Sequence, residues 1–176
     1  RRLLNFARDT DGEATPVDLE ATVTEVLGFM GKEAEYRSIE VVTEIDENLS
    51  TLHTNCGRLQ QILLNLVNNA FAAVDDGGRI EISVRESSDR SITIQVEDNG
   101  CGMTEYELKR VFEPFYTTKQ SRGGTGLGLS ITYSLAQELG GTIDVESEPG
   151  VGTRFRVTLP LAAEQTKGSI NASAAG

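Results

Sequence analysis

The chain of 176 residues carries 16 Lys and Arg against 27 Asp and Glu, a formal net charge of −11, and 38% of it is hydrophobic. That length holds one domain with a buried core, and the acidity excludes a protein that grips nucleic-acid backbone through basic stripes. No stretch approaches the ~18 apolar residues of a membrane span, no signal peptide opens the chain, and two cysteines make no disulfide framework, which suits a reducing, cytoplasmic compartment. The chain opens on Arg1 rather than Met and is expected to be a piece of something longer.

Residues 1–8 read as the last turns of a helix, and 9–16 as a polar linker closed by Pro16, which disfavours helix at Thr15. Asp18 caps a helix expected to run to about Gly31, with Leu19, Val23, Val26, Leu27 and Met30 on one face. Strands are expected over 39–45 and 51–54. The strongest helix spans 58–74, where Leu59, Ile62, Leu63, Leu66, Val67, Ala70 and Val74 form one apolar stripe. A turn at 75–78 leads to a hairpin of 79–86 and 91–98, with alternating faces. A short helix at 105–110, an irregular stretch at 111–124 and a helix over 126–139 follow. Strands at 140–147 and 153–160 are joined by a glycine-bearing turn, and the tail from 162 is small and polar. Two hairpins among alternating helices and strands give a mixed sheet.

Several residues have the chemistry of a site. Asn65 and Asn69 share a helix face beside the apolar stripe, and their amide oxygens suit a hard cation such as Mg²⁺, which needs few protein ligands once phosphate oxygens are present. The alternative is a merely solvated polar face. Asp98, Asn99, Gly100, Cys101 and Gly102 follow a strand directly. A carboxylate there accepts from an exocyclic amine such as adenine N6, and glycines let backbone approach a flat ring. The competing reading is an ordinary Asp-Asn-Gly turn. Residues 123–130 hold a run of glycines feeding into a helix, a pattern that suits phosphates bound by backbone amides and a helix end. It is neither a Walker loop nor a Rossmann fingerprint, and a hinge is the alternative. The segment 112–119, with Phe112, Phe115 and Tyr116 around Pro114 and Lys119 at its end, is a candidate lid packed down by its aromatics. Residues 149–153 make a hairpin turn.

In order and spacing, RLQQILLNLVNNAFAA, VEDNGCGM, VFEPFYTTK, GGTGLGLSI and SEPGVGTRFRVTLP resemble the N box, first glycine box, F box, second glycine box and final glycine motif of sensor histidine kinases. The resemblance covers residues 16–161, the extent of a catalytic, ATP-binding domain. Residues 1–15 resemble the end of a dimerisation helix and its linker, and 162–176 a flexible tail. It implies a Bergerat fold: an α/β (α+β) two-layer sandwich whose mixed, mostly antiparallel sheet is covered on one face by about three helices. It also implies ATP and Mg²⁺ as cofactors. Asn69 matches the magnesium-binding asparagine and Asn65 its N-box companion. Asp98 matches the aspartate that reads adenine, flanked by Gly100 and Gly102. Gly124, Gly126, Leu127 and Gly128 match the phosphate loop, Lys119 the lid end of the F box, and Thr153 a threonine near the adenine pocket. The implied partners are a phosphoacceptor-histidine dimerisation domain of the same protein and a response regulator. The implied full-length protein is a homodimer, and the resemblance is compatible with a membrane anchor outside this domain.

Two departures stand out. Asn55 occupies a position often held by aspartate, and Ala72 and Ala73 stand where a basic residue is frequent, leaving Arg110, Lys119 or Arg122 as countercharges for phosphate. ATPases that share the fold carry a water-activating glutamate where this chain has Asn65, whose amide is no general base, so phosphoryl transfer is expected over hydrolysis. A GHKL-type ATPase and a non-catalytic nucleotide sensor remain the alternatives. His53 reads as a partly packed structural residue at a strand end, and Cys101 as a small side chain that fits its loop.

Overall fold

The structure, a computed structural model, describes residues 13–117 and 125–161. Its elements are β1 (Thr15–Val17), α1 (Leu19–Tyr36), β2 (Glu40–Ile45), β3 (Leu52–Thr54), α2 (Cys56–Ala73), β4 (Arg79–Ser87), β5 (Ser91–Asp98), α3 (Glu105–Leu108), α4 (Gly128–Glu138), β6 (Thr142–Glu148) and β7 (Gly152–Pro160). Five strands form one sheet in the order β2-β4-β5-β7-β6. The β2–β4 pair is parallel, and β4–β5, β5–β7 and β6–β7 are antiparallel. This is the mixed, mostly antiparallel sheet expected.

Alternation along the strands decides which face the helices cover. Ile80, Ile82 and Val84 of β4, Ile92, Ile94 and Val96 of β5, and Phe155, Val157 and Leu159 of β7 are buried. Helices α1, α2 and α4 pack over that face, with α2 between the other two and in contact with β5 and β7. The opposite face carries a charged lattice instead, in which Arg154 pairs with Glu97 at 2.9 Å and Arg156 pairs with Glu146. The result is a two-layer sandwich. Among the described residues no helix is long and apolar enough to cross a membrane.

Helix α2 is the spine of the helical layer. Its stripe of Leu59, Ile62, Leu63, Leu66, Val67, Ala70 and Phe71 is buried along the whole length. It starts before the expected Arg58 because the buried Asn55 side chain accepts from the Arg58 amide at 2.9 Å. Asparagine and aspartate cap helices equally well, so the departure at this position leaves the helix start intact.

Several expected boundaries move. Helix α1 runs to Tyr36 rather than ending near Gly31. A Cβ at Gly28 or Gly31 would meet nothing within 4 Å, so both glycines face open space and interrupt nothing. The segment expected as linker ends in a strand, since Thr15 pairs with Thr54, Pro16 with His53 and Val17 with Leu52. A two-stranded ribbon has edges where a proline, lacking an N–H, is tolerated. His53 is exposed rather than partly packed. Helix α3 stops at Leu108, and α4 starts at Gly128 instead of 126 because Gly126 sits at φ +71°, outside helical space. Strand β6 begins at Thr142 because Gly140, at φ +75°, still closes α4.

The cap makes a direct test. Asn55→Ala is expected to lower unfolding free energy in urea by about 1–2 kcal/mol, whereas Asn55→Asp retains it.

Candidate functional site

A cavity of about 650 Å³ opens where α2, the loop after β5, the segment around α3 and the start of α4 converge. Asn65, Asn69, Asp98, Gly102, Gly126, Gly128 and Thr153 all line it. Residues separated by up to half of the chain are thus brought to one space. Gly100 stands behind the wall, and Leu127 is the residue before α4. Lys119, Gly124, Arg122 and the rest of 118–124 lie outside the described residues, as do 1–12 and the tail from 162.

Asp98 ends β5 on the covered face, opposite Ile80 and Thr153. It is 7% exposed, and its Oδ1 accepts from the Gly100 amide at 2.9 Å. That bond fixes the carboxylate's direction and leaves it further acceptor capacity. The loop that follows is tied on every side. The Asn99 Oδ1 accepts from the Arg79 amide at 2.8 Å, and the Cys101 amide donates to the Ala73 carbonyl at 3.1 Å. The Met103 amide donates to Ser147 Oγ at 2.8 Å. The turn expected as a plain hairpin joins in, because the Gly150 amide donates to the Cys101 carbonyl at 2.8 Å. Thr153 Oγ1 lies 2.8 Å from Ser147 Oγ, placing its hydroxyl in the same web.

The protein's own backbone is reason enough for the two loop glycines. A Cβ on Gly100 would stand 2.4 Å from the Ala73 carbonyl oxygen. On Gly102, at φ +66°, it would stand 1.9 Å from the Glu148 carbonyl oxygen. Both are closer than atoms can approach, whatever ligand is present.

Asn65 fastens α2 to α4. Its Nδ2 donates to the Gly128 carbonyl and to Thr132 Oγ1, each at 3.1 Å, while its Oδ1 accepts from Gln61 at 3.2 Å. Asn69 lies one turn further along the same face, half-buried at the cavity wall. The start of α4 differs from the other helices. Side-chain oxygens of Asp18, Asn55 and Thr104 cap α1, α2 and α3, but the residue before α4 is Leu127, which has no oxygen to offer. Among the described residues the side-chain oxygen at this entry is that of Thr125, which accepts from the Leu127 amide at 3.4 Å, and no side chain caps α4 itself; amides at such a helix start suit an anion.

The aromatic segment is stitched to this glycine region. The Phe115 amide donates to the Gly126 carbonyl at 2.9 Å, and a Cβ on Gly126 would strike the Phe115 backbone. Phe112 is the anchor, with ring centroids 5.4 Å from Tyr133 and 6.4 Å from Phe155. Phe115, expected to pack down as well, is 73% exposed. Its φ of +64° lets its amide reach Gly126 while the ring stays outside. Arg110 is sandwiched: its guanidinium lies 4.5 Å from the Tyr116 ring centre and 5.5 Å from that of Tyr106, and it pairs with Glu113 at 2.9 Å. Glu113 raises the Arg110 pKa above its ordinary value. Partial burial, then the charge of Glu107, raises that of the Tyr116 hydroxyl.

Sequence reasoning missed Arg37, Met103 and Glu107, which also line the cavity, while Tyr116 of the candidate lid lines it too. For Arg37 a signal existed, because α2 has no basic residue in its last turn and no glycine after it.

Residues 54–163 match the family model described as histidine kinase-, DNA gyrase B- and HSP90-like ATPase. The sensor histidine kinase ZraS of Klebsiella oxytoca is 36% identical over 163 residues, covering 93% of this chain and 35% of that protein. The signal transduction histidine-protein kinase AtoS of Escherichia coli K12 is 36% identical over 161 residues, 92% of this chain and 26% of its own. The chain therefore spans about a third or less of these relatives. Among solved structures, full-length ShkA in complex with AMPPNP superposes with a TM-score of 0.78 at 31% identity, covering 92% of this chain and 35% of that one. The catalytic domain of the histidine kinase ThkA gives 0.76 at 29% identity, covering 85% and 96%. ThkA in complex with the response regulator TrrA gives 0.75 at 26%, covering 93% and 46%. The chain belongs to the histidine kinase-, DNA gyrase B- and HSP90-like ATPase family, and the relatives named here are sensor histidine kinases.

Proposed function

We propose that residues 16–161 are the catalytic, ATP-binding domain of a cytoplasmic-side sensor histidine kinase, which passes the γ-phosphoryl group to a histidine on a separate dimerisation domain for relay to a response-regulator aspartate. The observation that carries this reading is one cavity lined by two different features: the buried carboxylate of Asp98, and the start of α4, where among the described residues no side chain caps the helix. An adenine amine fits the first and a phosphate chain the second.

Asp98 then selects adenine, because guanine presents a carbonyl where adenine presents its amine. Gly126, Leu127 and Gly128, with Gly124 and Lys119 from the segment before them, hold the β- and γ-phosphates through amides and charge, and Thr153 supports the base end through Ser147. The donor set suits Mg²⁺. Among the described residues no three His, Cys, Asp or Glu gather as a metal site, so a cation at the cavity wall relies on amide oxygens and on the nucleotide's own phosphates. Asn69 is the foremost ligand. Asn65 has its amide nitrogen engaged by α4 and contributes a carbonyl lone pair beyond the one Gln61 uses. A bound ion there would supply charge neutralisation to the nucleotide's phosphates. No general base stands at position 65, so water is poorly activated, and catalysis rests on positioning the γ-phosphate for a nucleophile brought from outside.

The decisive experiment mixes this chain with the dimerisation domain of its own full-length protein and γ-labelled ATP. Acid-labile label is expected on that domain's histidine and none on His53. Free phosphate formed faster than label is transferred indicates an ATPase, and bound ATP with no transfer a sensor; either contradicts the proposal. Asp98→Asn is expected to weaken ATP binding roughly tenfold to a hundredfold with the fold retained. Gly128→Ala separates ligand from scaffold. Its Cβ would meet only Asn65 Cγ at 3.9 Å, so stability is unchanged or rises by up to ~1 kcal/mol while ATP affinity falls. Gly102→Ala, by contrast, is expected to unfold the loop, seen as a lowered Tm before any nucleotide is added.

A further inference from the structure

Helix α2 ends without a cap of its own. Its last turn holds no basic residue, and the chain leaves through Val74, Asp75 and Asp76 rather than through a glycine. The carbonyls of a final turn need donors from elsewhere, and two carboxylates just beyond the helix set negative charge at its negative end.

Arg37, which terminates α1, meets both needs. Its NH1 donates to the Phe71 carbonyl at 2.8 Å and its NH2 to the Val74 carbonyl at 2.7 Å. Its Nε pairs with Asp76 at 2.8 Å, and its NH1 also reaches Glu33 at 3.2 Å. The Arg37 carbonyl accepts from the Gly77 amide at 2.9 Å, so backbone and side chain clasp the same turn from two sides.

That turn is also the wall of the site. Between the two carbonyls held by Arg37 lies Ala73, whose oxygen accepts from the Cys101 amide and fits so tightly against Gly100 that no Cβ could stand there. Gly100 in turn directs the Asp98 carboxylate. Asn69 lies one turn back on the same helix. A short chain of contacts therefore runs from the guanidinium through Ala73 to the carboxylate.

We propose that Arg37 is a positioning residue for base recognition: its forked guanidinium fixes the last turn of α2, and through Ala73 the loop that aims Asp98. The inference rests on reading the cavity as an adenine-nucleotide site. A lysine does not substitute, because a single ammonium on a flexible stem cannot bridge two carbonyls and a carboxylate in one fixed plane.

The test compares Arg37→Ala and the charge-preserving Arg37→Lys with Val84→Ala, a buried β4 position outside the cavity. Binding of ATP and of inosine triphosphate, which carries a carbonyl in place of the amine, is measured by calorimetry below each variant's Tm. Both Arg37 variants are expected to lose about tenfold in ATP affinity and much less for the inosine nucleotide, so the preference between bases narrows. Val84→Ala lowers Tm yet keeps the wild-type preference. An unchanged preference in either Arg37 variant overturns the proposal, as does an equal narrowing in Val84→Ala. If Arg37→Ala fails to fold, Arg37→Lys alone decides. A wild-type chain indifferent to the base overturns the reading of the site itself, and this inference with it.

Discussion

The contact between the last turn of α2 and the loop after β5 is the constraint on which the site depends. The Ala73 carbonyl takes the Cys101 amide, and the backbone at Gly100 lies too close to Ala73 for any side chain to separate them. Because α2 carries Asn65 and Asn69 and β5 carries Asp98, this one junction sets the distance between the helix wall of the cavity and the carboxylate. The rest of the site is hung from its two ends. Asn65 reaches from α2 to the start of α4, and Gly102 rests on the Glu148 carbonyl of β6. The Ala73–Cys101 and Gly102–Glu148 contacts are between backbone atoms, and the Asn65 tie to α4 runs from its side-chain amide.

A net charge of −11 is compatible with binding a polyphosphate in such a site. In the proposed reading the attraction is local, from amides at the start of α4, a metal and single basic residues, and the overall charge acts only weakly across screened solvent. Part of the chain's own charge is engaged elsewhere, on the outer face of the sheet, where Arg154 and Arg156 lie across Glu97 and Glu146. Arg110 is engaged as well, between two tyrosines and Glu113. Arg37 is bound to carbonyls and to Asp76.

Periodicity made the frame legible. The stripe from Leu59 to Ala70, the alternation in β4, β5 and β7, and the caps at Asp18 and Asn55 are local signals, and each corresponds to an element in the structure. Motif order then brought Asn69, Asp98 and the glycines of the 124–128 segment together on paper. What escaped notice depends on partners distant in sequence. Gly31 suggests a helix end only if its exposure is unknown. Strand β1 exists because β3 lies beside it, against the discouragement of Pro16. The glycines after Asp98 suggested room for a ring, whereas the atoms they avoid belong to Ala73 and Glu148. The neighbours of Arg37 in sequence carry no sign of its role, and the hint lies at the end of α2, more than thirty residues away, which lacks a basic residue of its own.

The central claim, a preassembled adenine-nucleotide cavity on the helical side of the sheet, is tested most directly by backbone amide NMR of this chain titrated with a non-hydrolysable ATP analogue and Mg²⁺. The largest shift changes are expected at Ala73, across 98–102 and across 126–129, with the outer-face residues Gln95, Glu146 and Arg156 unmoved. Changes centred on that outer face, or none at saturating analogue, would contradict it.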